Sequence, residues 1–546
     1  MTDPARSSVF RLCQEGYASV LPVRAVLVGE GPAVLKDSTG KELFRLEAEP
    51  APTDAASGDR AALFSPGRLA PGCYFLEACG EKRKFEVTSD PWRSVTDALI
   101  KGFYFQRCGC ALDRRHAGDY AHPACHTAPA VDWLDRSVSR RVTGGWHDAG
   151  DYGKYTGPGA VAAAHLLYAW LLFPEGCSGS LNIPESGSEL PDLLSECAWE
   201  LNWILQMQRS DGSFHHKLTK DHFAPFIMPQ EDLDPEYLMP VSHCATAAAA
   251  ACLALAFRIY RAYDPAFANR MLLSAVHAWD WLQHHPDFIP FRNPEGVHTG
   301  VYGDSSDSDE RFWAACELFA ATGESRFREE AERLYAAGQQ LTAFGWANVG
   351  GLGALCCLFV LKEKAGPVLF TELREKFLCQ SEKPLSCARA SGYGTALSPE
   401  QYGWGSVLPI LSGAMAMMMN HLLTGRTDML DAALDQWYYV LGMNALDLCF
   451  VTGFGENTVR FPHHRPSGAD GIDAPVPGLI SGGPNKYASF PATRSRLGEN
   501  TPPAKSFVDE TFSADTNEIA VYWNSPAVFV AAFFTQLCVK NGAGTE

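Results

Sequence analysis

From about residue 93 onward the chain is a succession of amphipathic helical segments joined by short links, and this pattern constrains the fold most. Apolar residues at helical spacing recur at 159–173, 191–209, 243–263, 266–284, 308–322, 326–341, 352–362, 406–424, 428–442 and 526–540. Two stretches echo one another. Thr322-Gly323 leads through a short link to Phe327 and Ala331, and Thr424-Gly425 leads likewise to Met429 and Ala433. Each reads as helix, glycine cap, link, next helix. Helix hairpins repeated over this length predict a closed toroid of paired helices, with an irregular α-solenoid as the alternative. The class expected is mainly α.

The first 92 residues have another texture. VRAVLVG (23–29), ELFRLEA (42–48), GCYFLEA (72–78) and KFEVTSD (84–90) alternate with period two and are separated by turn residues. That predicts a small all-β sandwich over 1–92, ahead of a helical domain over 93–546. Pro91 discourages extension of the last strand.

The 546 residues carry a net charge of −18, with no Lys/Arg-rich run. Nucleic acid and anionic membrane surfaces are disfavoured as partners, and a neutral substrate or a bound cation fits. MTDPARSSVF has no leader-like apolar run, and the Ala-rich stretch at 247–257 is too short to span a bilayer. The seventeen cysteines are odd in number and scattered through apolar helical contexts. Free thiols in a reducing, cytoplasmic setting are the expectation, with a secreted mature form as the alternative.

Unusual chemistry concentrates in a few loops. In GGWHDAGDYGKYTGPGA (144–160), Asp148 and Asp151 stand three apart among Trp146, Tyr152 and Tyr155. Paired carboxylates beside aromatic faces suit sugar hydroxyls and rings, and an acidic helix start accounts for them equally well. FVTGFGENTVRFPHHRPSGAD (450–470) presents His463, His464 and Arg465 as donors in a Pro/Gly loop. In ADTNEIAVYWNSPAVF (514–529), Glu518 follows Asp515 and precedes an apolar run that would raise its pKa, as a general acid needs; a helix-capping Glu is the alternative. Cys108, Cys125, His126 and His147 supply the donor set of a closed tetrahedral zinc site, with Cys110, His116 and His122 competing nearby. In GDSSDSDERFW (303–313), Ser305, Ser306, Asp309 and Glu310 offer hard oxygens for calcium, or simply an acidic helix cap.

Together these stretches resemble glycoside hydrolase family 9, in its branch with an N-terminal immunoglobulin-like domain. PVPGLISGGPN (475–485), FYFQRCG (103–109) and HPACH (122–126) share the resemblance. It implies an (α/α)6 barrel behind an immunoglobulin-like sandwich, and cleavage of β-1,4-glucosidic bonds with inversion. Asp151 would be the general base, Asp148 would hold the attacking water and Glu518 would be the general acid. His463, His464 and Arg465 would contact substrate, as would Trp146 and Tyr152, and Asp515 would support the site. Cys108, Cys125, His126 and His147 would bind structural zinc. Ser305, Ser306, Asp309 and Glu310 would bind calcium, although GWANVGG (345–351) has Ala347 and Asn348 where the family often recruits an Asp. The segment GWGSVLPIL likewise has Val407 where an Asn is common. An inverting enzyme holds its two carboxyls roughly 6.5–9.5 Å apart.

Glucans or short cello-oligosaccharides are the expected substrate, endoglucanase-like by family, with exo-acting, cellobiase-like attack suspected. An exo-β-glucosaminidase is the alternative within the class. A non-catalytic oligosaccharide-binding protein and a phosphate-using phosphorylase are the alternatives outside it. Oligomeric state is not readable from the sequence.

Overall fold

The computed structural model describes residues 8–47 and 52–542. Residues 1–7 of the expected leader-free start, and Ala48 of the expected strand 42–48, lie outside them.

Eight strands come first: β1 (Phe10–Arg11), β2 (Tyr17–Ala18), β3 (Val23–Val28), β4 (Ala33–Asp37), β5 (Glu42–Leu46), β6 (Ala61–Gly67), β7 (Gly72–Ala78) and β8 (Glu81–Thr88). They form one sheet in the order β1-β3-β6 and another in the order β2-β8-β7-β4-β5. Period-two alternation decides which face is buried. On β8, Phe85 and Val87 point inward between exposed polar neighbours, and on β7 Tyr74, Leu76 and Ala78 point inward between half-buried ones.

Twelve main helices follow: α1 (Arg93–Phe105), α2 (Thr156–Leu172), α3 (Asp192–Gln206), α4 (His243–Tyr260), α5 (Pro265–His284), α6 (Ser308–Thr322), α7 (Ser325–Ala336), α8 (Gly350–Leu355), α9 (Leu373–Gln380), α10 (Val407–Thr424), α11 (Thr427–Val440) and α12 (Val521–Gly542). They build an (α/α)6 barrel. The inner ring is α2, α4, α6, α8, α10 and α12. Its members are buried on most sides, because both faces meet other helices. The run of alanines on α4 lets α2, α5 and α6 approach closely. The outer helices are one-sided; α7 buries only Phe327, Ala331 and Leu334 of its twelve residues. Gly323 and Gly425 end α6 and α10 in the left-handed conformation, at φ +75° and +76°, as the repeated Thr-Gly signal implies.

Some elements differ from the sequence expectation. The segment 352–362 is α-helical only to Leu355 and continues as a π-helix, Cys356–Leu361. The last helix starts at Val521, five residues before 526, and keeps Pro526 inside it. Helix α4 is longer than its alanine run. By length and composition α4 and α10 could each cross a membrane, but 83% and 67% of their apolar windows are buried within the barrel.

The sandwich and barrel share one apolar core. Tyr17 meets Tyr438 edge-on at 5.2 Å, and Trp92 meets Trp437 at 6.5 Å. Arg24 on β3 makes a two-pronged ion pair with buried Asp435 on α11. Gln14 N–H donates to the Leu441 carbonyl at 2.9 Å. All seventeen cysteines are free thiols.

Candidate active site

Closing the ring brings the first inner helix, α2, beside the last, α12. The loop before α2 carries Asp148 and Asp151, and the segment before α12 carries Glu518. Main-chain hydrogen bonds lock these stretches to the 450–470 loop. Val521 N–H donates to Asp148 O at 2.8 Å, and His463 N–H to Asn517 O at 2.9 Å. Arg465 N–H donates to Gly150 O at 3.0 Å, and Gly482 N–H to Glu518 O at 2.7 Å. Such a lattice fixes side-chain origins more firmly than side-chain contacts could.

The result is one cleft of about 530 Å³, lined by Asp148, Asp151 and Glu518 with His463 and Arg465, and walled by aromatic rings. Tyr302 O–H donates to Asp148 Oδ2 at 2.5 Å, while Oδ1 of the same carboxyl is buried without a partner. Asp151 Oδ2 accepts from Gly153 N–H at 3.0 Å. Trp404 Nε1–H donates to Glu518 Oε2 at 3.2 Å. His463 Nδ1–H donates to Thr511 O at 2.6 Å, which leaves Nε2 as the free ring nitrogen. Arg465 is clamped by the carbonyls of Ala224 and Gly150 at 2.7 and 2.8 Å.

The electrostatics separate the carboxyls. Desolvation holds Glu518 well above the ordinary range, and the charges of Asp151 and Asp148 push it further up. Desolvation also raises Asp151, but Arg465 and Lys217 pull it back. Asp148 is raised well above its usual value by burial, against the Tyr302 hydrogen bond. Burial brings His463 down to about 4, so it is neutral near pH 7. Lys217 is brought down to about 7 by burial, partly offset by Asp151. A carboxyl raised further and one raised less are a pair able to do acid/base chemistry.

Four of the expected substrate-contacting or supporting residues lie behind the cleft wall instead of lining it. Trp146 is buried, with Nε1–H on Glu196 at 2.8 Å. Tyr152 packs on His126 and His147, and its hydroxyl donates to Ile227 O. His464 is held between Gln106 Oε1 and Ser467 Oγ at 3.0 and 2.9 Å. Asp515 accepts from Ser489 N–H, Phe490 N–H and Thr493 Oγ1–H, which makes it an anchor for the 489–493 segment. In a tight loop, neighbouring side chains leave on opposite sides, so a motif's members need not share a surface. Sequence reasoning missed Tyr302, Trp346, Trp404 and Lys217; the two tryptophans stand in Gly-Trp pairs, which was the available signal.

Next to the cleft, donor atoms of Cys108, Cys125, His126 and His147 all lie within 4.8 Å of one another. The donor chemistry fits zinc. His126 Nδ1 and His147 Nε2 are buried and unpartnered, while His126 Nε2–H is oriented by Asp232 Oδ2 at 3.1 Å. Lys154 Nζ–H donates to Cys108 Sγ at 3.1 Å, as suits a thiolate. The competing Cys110, His116 and His122 are outside this group. Of the expected calcium ligands only Glu310 enters a clustered group, with Asp304 and Cys244; Asp309 Oδ2 accepts from Val349 N–H at 2.8 Å.

The family model described as glycosyl hydrolase family 9 matches residues 92–531. A cellodextrinase of Butyrivibrio fibrisolvens is 35% identical over 539 residues, covering 94% of this chain and 97% of its own length. A single mutant of a thermostable endoglucanase from Alicyclobacillus acidocaldarius superposes with a TM-score of 0.90 at 33% identity, covering 96% of this chain and 99% of that one. A Zn-binding triple mutant of the family 9 endoglucanase J30 superposes with a TM-score of 0.89 at 32% identity, covering 95% and 99%.

Proposed function

The chain belongs to glycosyl hydrolase family 9, the glycosidases that hydrolyse O-glycosyl bonds, and from that premise we propose that it is an inverting hydrolase of β-1,4-glucosidic bonds in soluble cello-oligosaccharides. The observation that carries this is the lattice of main-chain bonds holding Asp148, Asp151 and Glu518 in one aromatic cleft. A cellodextrinase similar over nearly the whole of both chains supports the short substrate.

In this reading the aromatic walls take the sugar faces. Glu518 O–H protonates the leaving glycosidic oxygen, and its raised pKa keeps that proton in place near neutrality. Asp151 accepts a proton from water attacking the opposite face of the ring. Asp148, held by Tyr302, helps to hold the same water. Neutral His463 and the clamped Arg465 supply hydroxyl contacts. The acidic side chains lining the cleft are the three reacting carboxyls. None is left over for an ammonium group, which favours glucose over glucosamine.

Cys108, Cys125, His126 and His147 would hold zinc as a closed four-ligand centre. Bound there, the ion supplies a cross-link and no chemistry, because no coordination position stays open. Its ligand His147 directly precedes Asp148, so the cross-link would fix the base loop.

Glu518→Gln tests the assignment. The account expects turnover of cello-oligosaccharides to fall about 10²–10⁴-fold with an unchanged fold. Unimpaired turnover by that variant would remove Glu518 from the mechanism.

A further inference from the structure

In the acidic loop 303–310, part of the oxygen set that the family resemblance gives to calcium already has partners within the chain. Calcium takes about 6–8 oxygen ligands at roughly 2.3–2.6 Å. Here Asp309 Oδ2 is committed to the Val349 N–H, Asp307 pairs with Arg311 at 2.7 Å, and Ser306 Oγ accepts from Ser308 N–H at 3.1 Å.

The fold assembles a different set. Cys244, in the first turn of α4, meets Asp304 and Glu310, and one donor atom from each lies within 4.8 Å of the others. The three line a cavity of about 20 Å³ that also touches the back of Tyr302 and Trp346. That is room for a single water-sized particle. Glu310 is 2% exposed, and its Oε2 has no hydrogen-bond partner; Asp304 Oδ2 is likewise buried and unpartnered. The nearest acceptor to the Cys244 thiol is the Ser306 carbonyl, at 3.5 Å. A buried carboxyl, a half-buried one and a half-buried thiol converge on one small cavity and lack a cationic partner among the described residues.

We propose that Cys244, Asp304 and Glu310 form a second metal site, which takes a thiophilic divalent cation of the zinc class and discriminates against calcium. Thiolate is a soft ligand that favours zinc and its neighbours, whereas calcium requires a shell of hard oxygens. Ligands on one tetrahedral zinc lie roughly 3.5 Å apart, given metal–ligand bonds of about 2.0–2.3 Å. Small side-chain rotations close the present spacing to that value. Water would fill the fourth position. Cys244 is the deciding residue, because without its sulfur the site offers only oxygen.

Metal content of the full chain tests the proposal. The chain is stripped with chelator, dialysed against zinc or calcium, and counted by mass spectrometry. The Cys125→Ser background removes the four-ligand centre, so the two sites are counted separately. The unmodified chain should bind two zinc ions, Cys125→Ser one, Cys244→Ser one, and the double variant none. Cadmium added to Cys125→Ser should give a thiolate-to-metal charge-transfer band that is lost in the double variant. If Cys125→Ser does not fold, the same difference is read as one zinc fewer in Cys244→Ser than in the unmodified chain. A zinc count unchanged by Cys244→Ser would overturn the proposal, as would stoichiometric calcium in the unmodified chain at this loop. A count of one that falls to zero only in Cys125→Ser would overturn this second site and leave the four-ligand centre standing.

Discussion

Glu518 and Asp151 share a cleft, and what separates them is the company behind each carboxyl. Burial and two other carboxyls raise Glu518; Arg465 acts on both groups, and Asp151 has in addition the Gly153 N–H and Lys217 to stabilise its charge. In the proposed mechanism the productive state has Asp151 ionised and Glu518 protonated. The kcat/KM profile is therefore bell-shaped, with Asp151 protonation limiting the acid side and Glu518 ionisation the alkaline side; the observed values belong to the coupled group. Trp404 probes this. Its Nε1–H bond favours the ionised form of Glu518 and so lowers the pKa of that group. Trp404→Phe keeps an aromatic ring and deletes the donor, so the alkaline limb should move to higher pH. A limb that stays put, or moves lower, would show that Glu518 does not control it.

At the scale of elements, catalytic geometry depends on how closely three loops approach. A Cβ on Gly150 would sit 2.0 Å from the His463 carbonyl oxygen, so Gly150→Ala must push the base loop away from the 463–465 segment. Misplacement of about 1 Å costs roughly 100-fold in rate. Steady-state kinetics of Gly150→Ala should show a fall in kcat of that order; a fall below threefold would mean that the loops are not fixed in this way. The same loops explain what was legible in the sequence. Asp148, Asp151, His463, Arg465 and Glu518 each stand in a dense local motif. Tyr302 and Trp404 are single aromatics whose roles come from partners 154 and 114 residues away. Trp146, Tyr152 and His464 were legible as members of a site and misplaced within it, because adjacency along a loop does not say which side chain turns towards the cleft. The acidic loop illustrates the same limit. Its carboxylates were visible, but Cys244, 60 or more residues earlier in the chain, decides their chemistry. The π-helical stretch after α8 has no period that a 3.6-residue pattern could detect.

Over the whole molecule, the helical texture and the alternating strands made the two layers legible, and long-range closure completes the picture. The proposed acid and base are far apart in sequence and meet because α2 and α12 are neighbours in the ring. The sandwich shares the barrel's core, and one polar link between them is Arg24 to Asp435, which is 2% exposed. Burial pushes Asp435 up to about 7 despite the pull of Arg24. Arg24→Ala would leave a buried carboxyl without its partner, a loss of about 3–5 kcal/mol. Thermal unfolding should show a lowered Tm with kcat preserved, since Arg24 is not among the residues lining the cleft. An unchanged Tm would mean that the sandwich does not stabilise the barrel through this pair.

The central claim is that water attacks from the Asp151 side while Glu518 protonates the leaving oxygen, in a single displacement. Proton NMR of freshly cleaved cello-oligosaccharides, recorded before mutarotation, tests it directly. The account predicts that the newly formed reducing end appears first as the α-anomer. Initial appearance of the β-anomer would mean a double displacement through a covalent intermediate, and would contradict the roles given to Asp151 and Glu518.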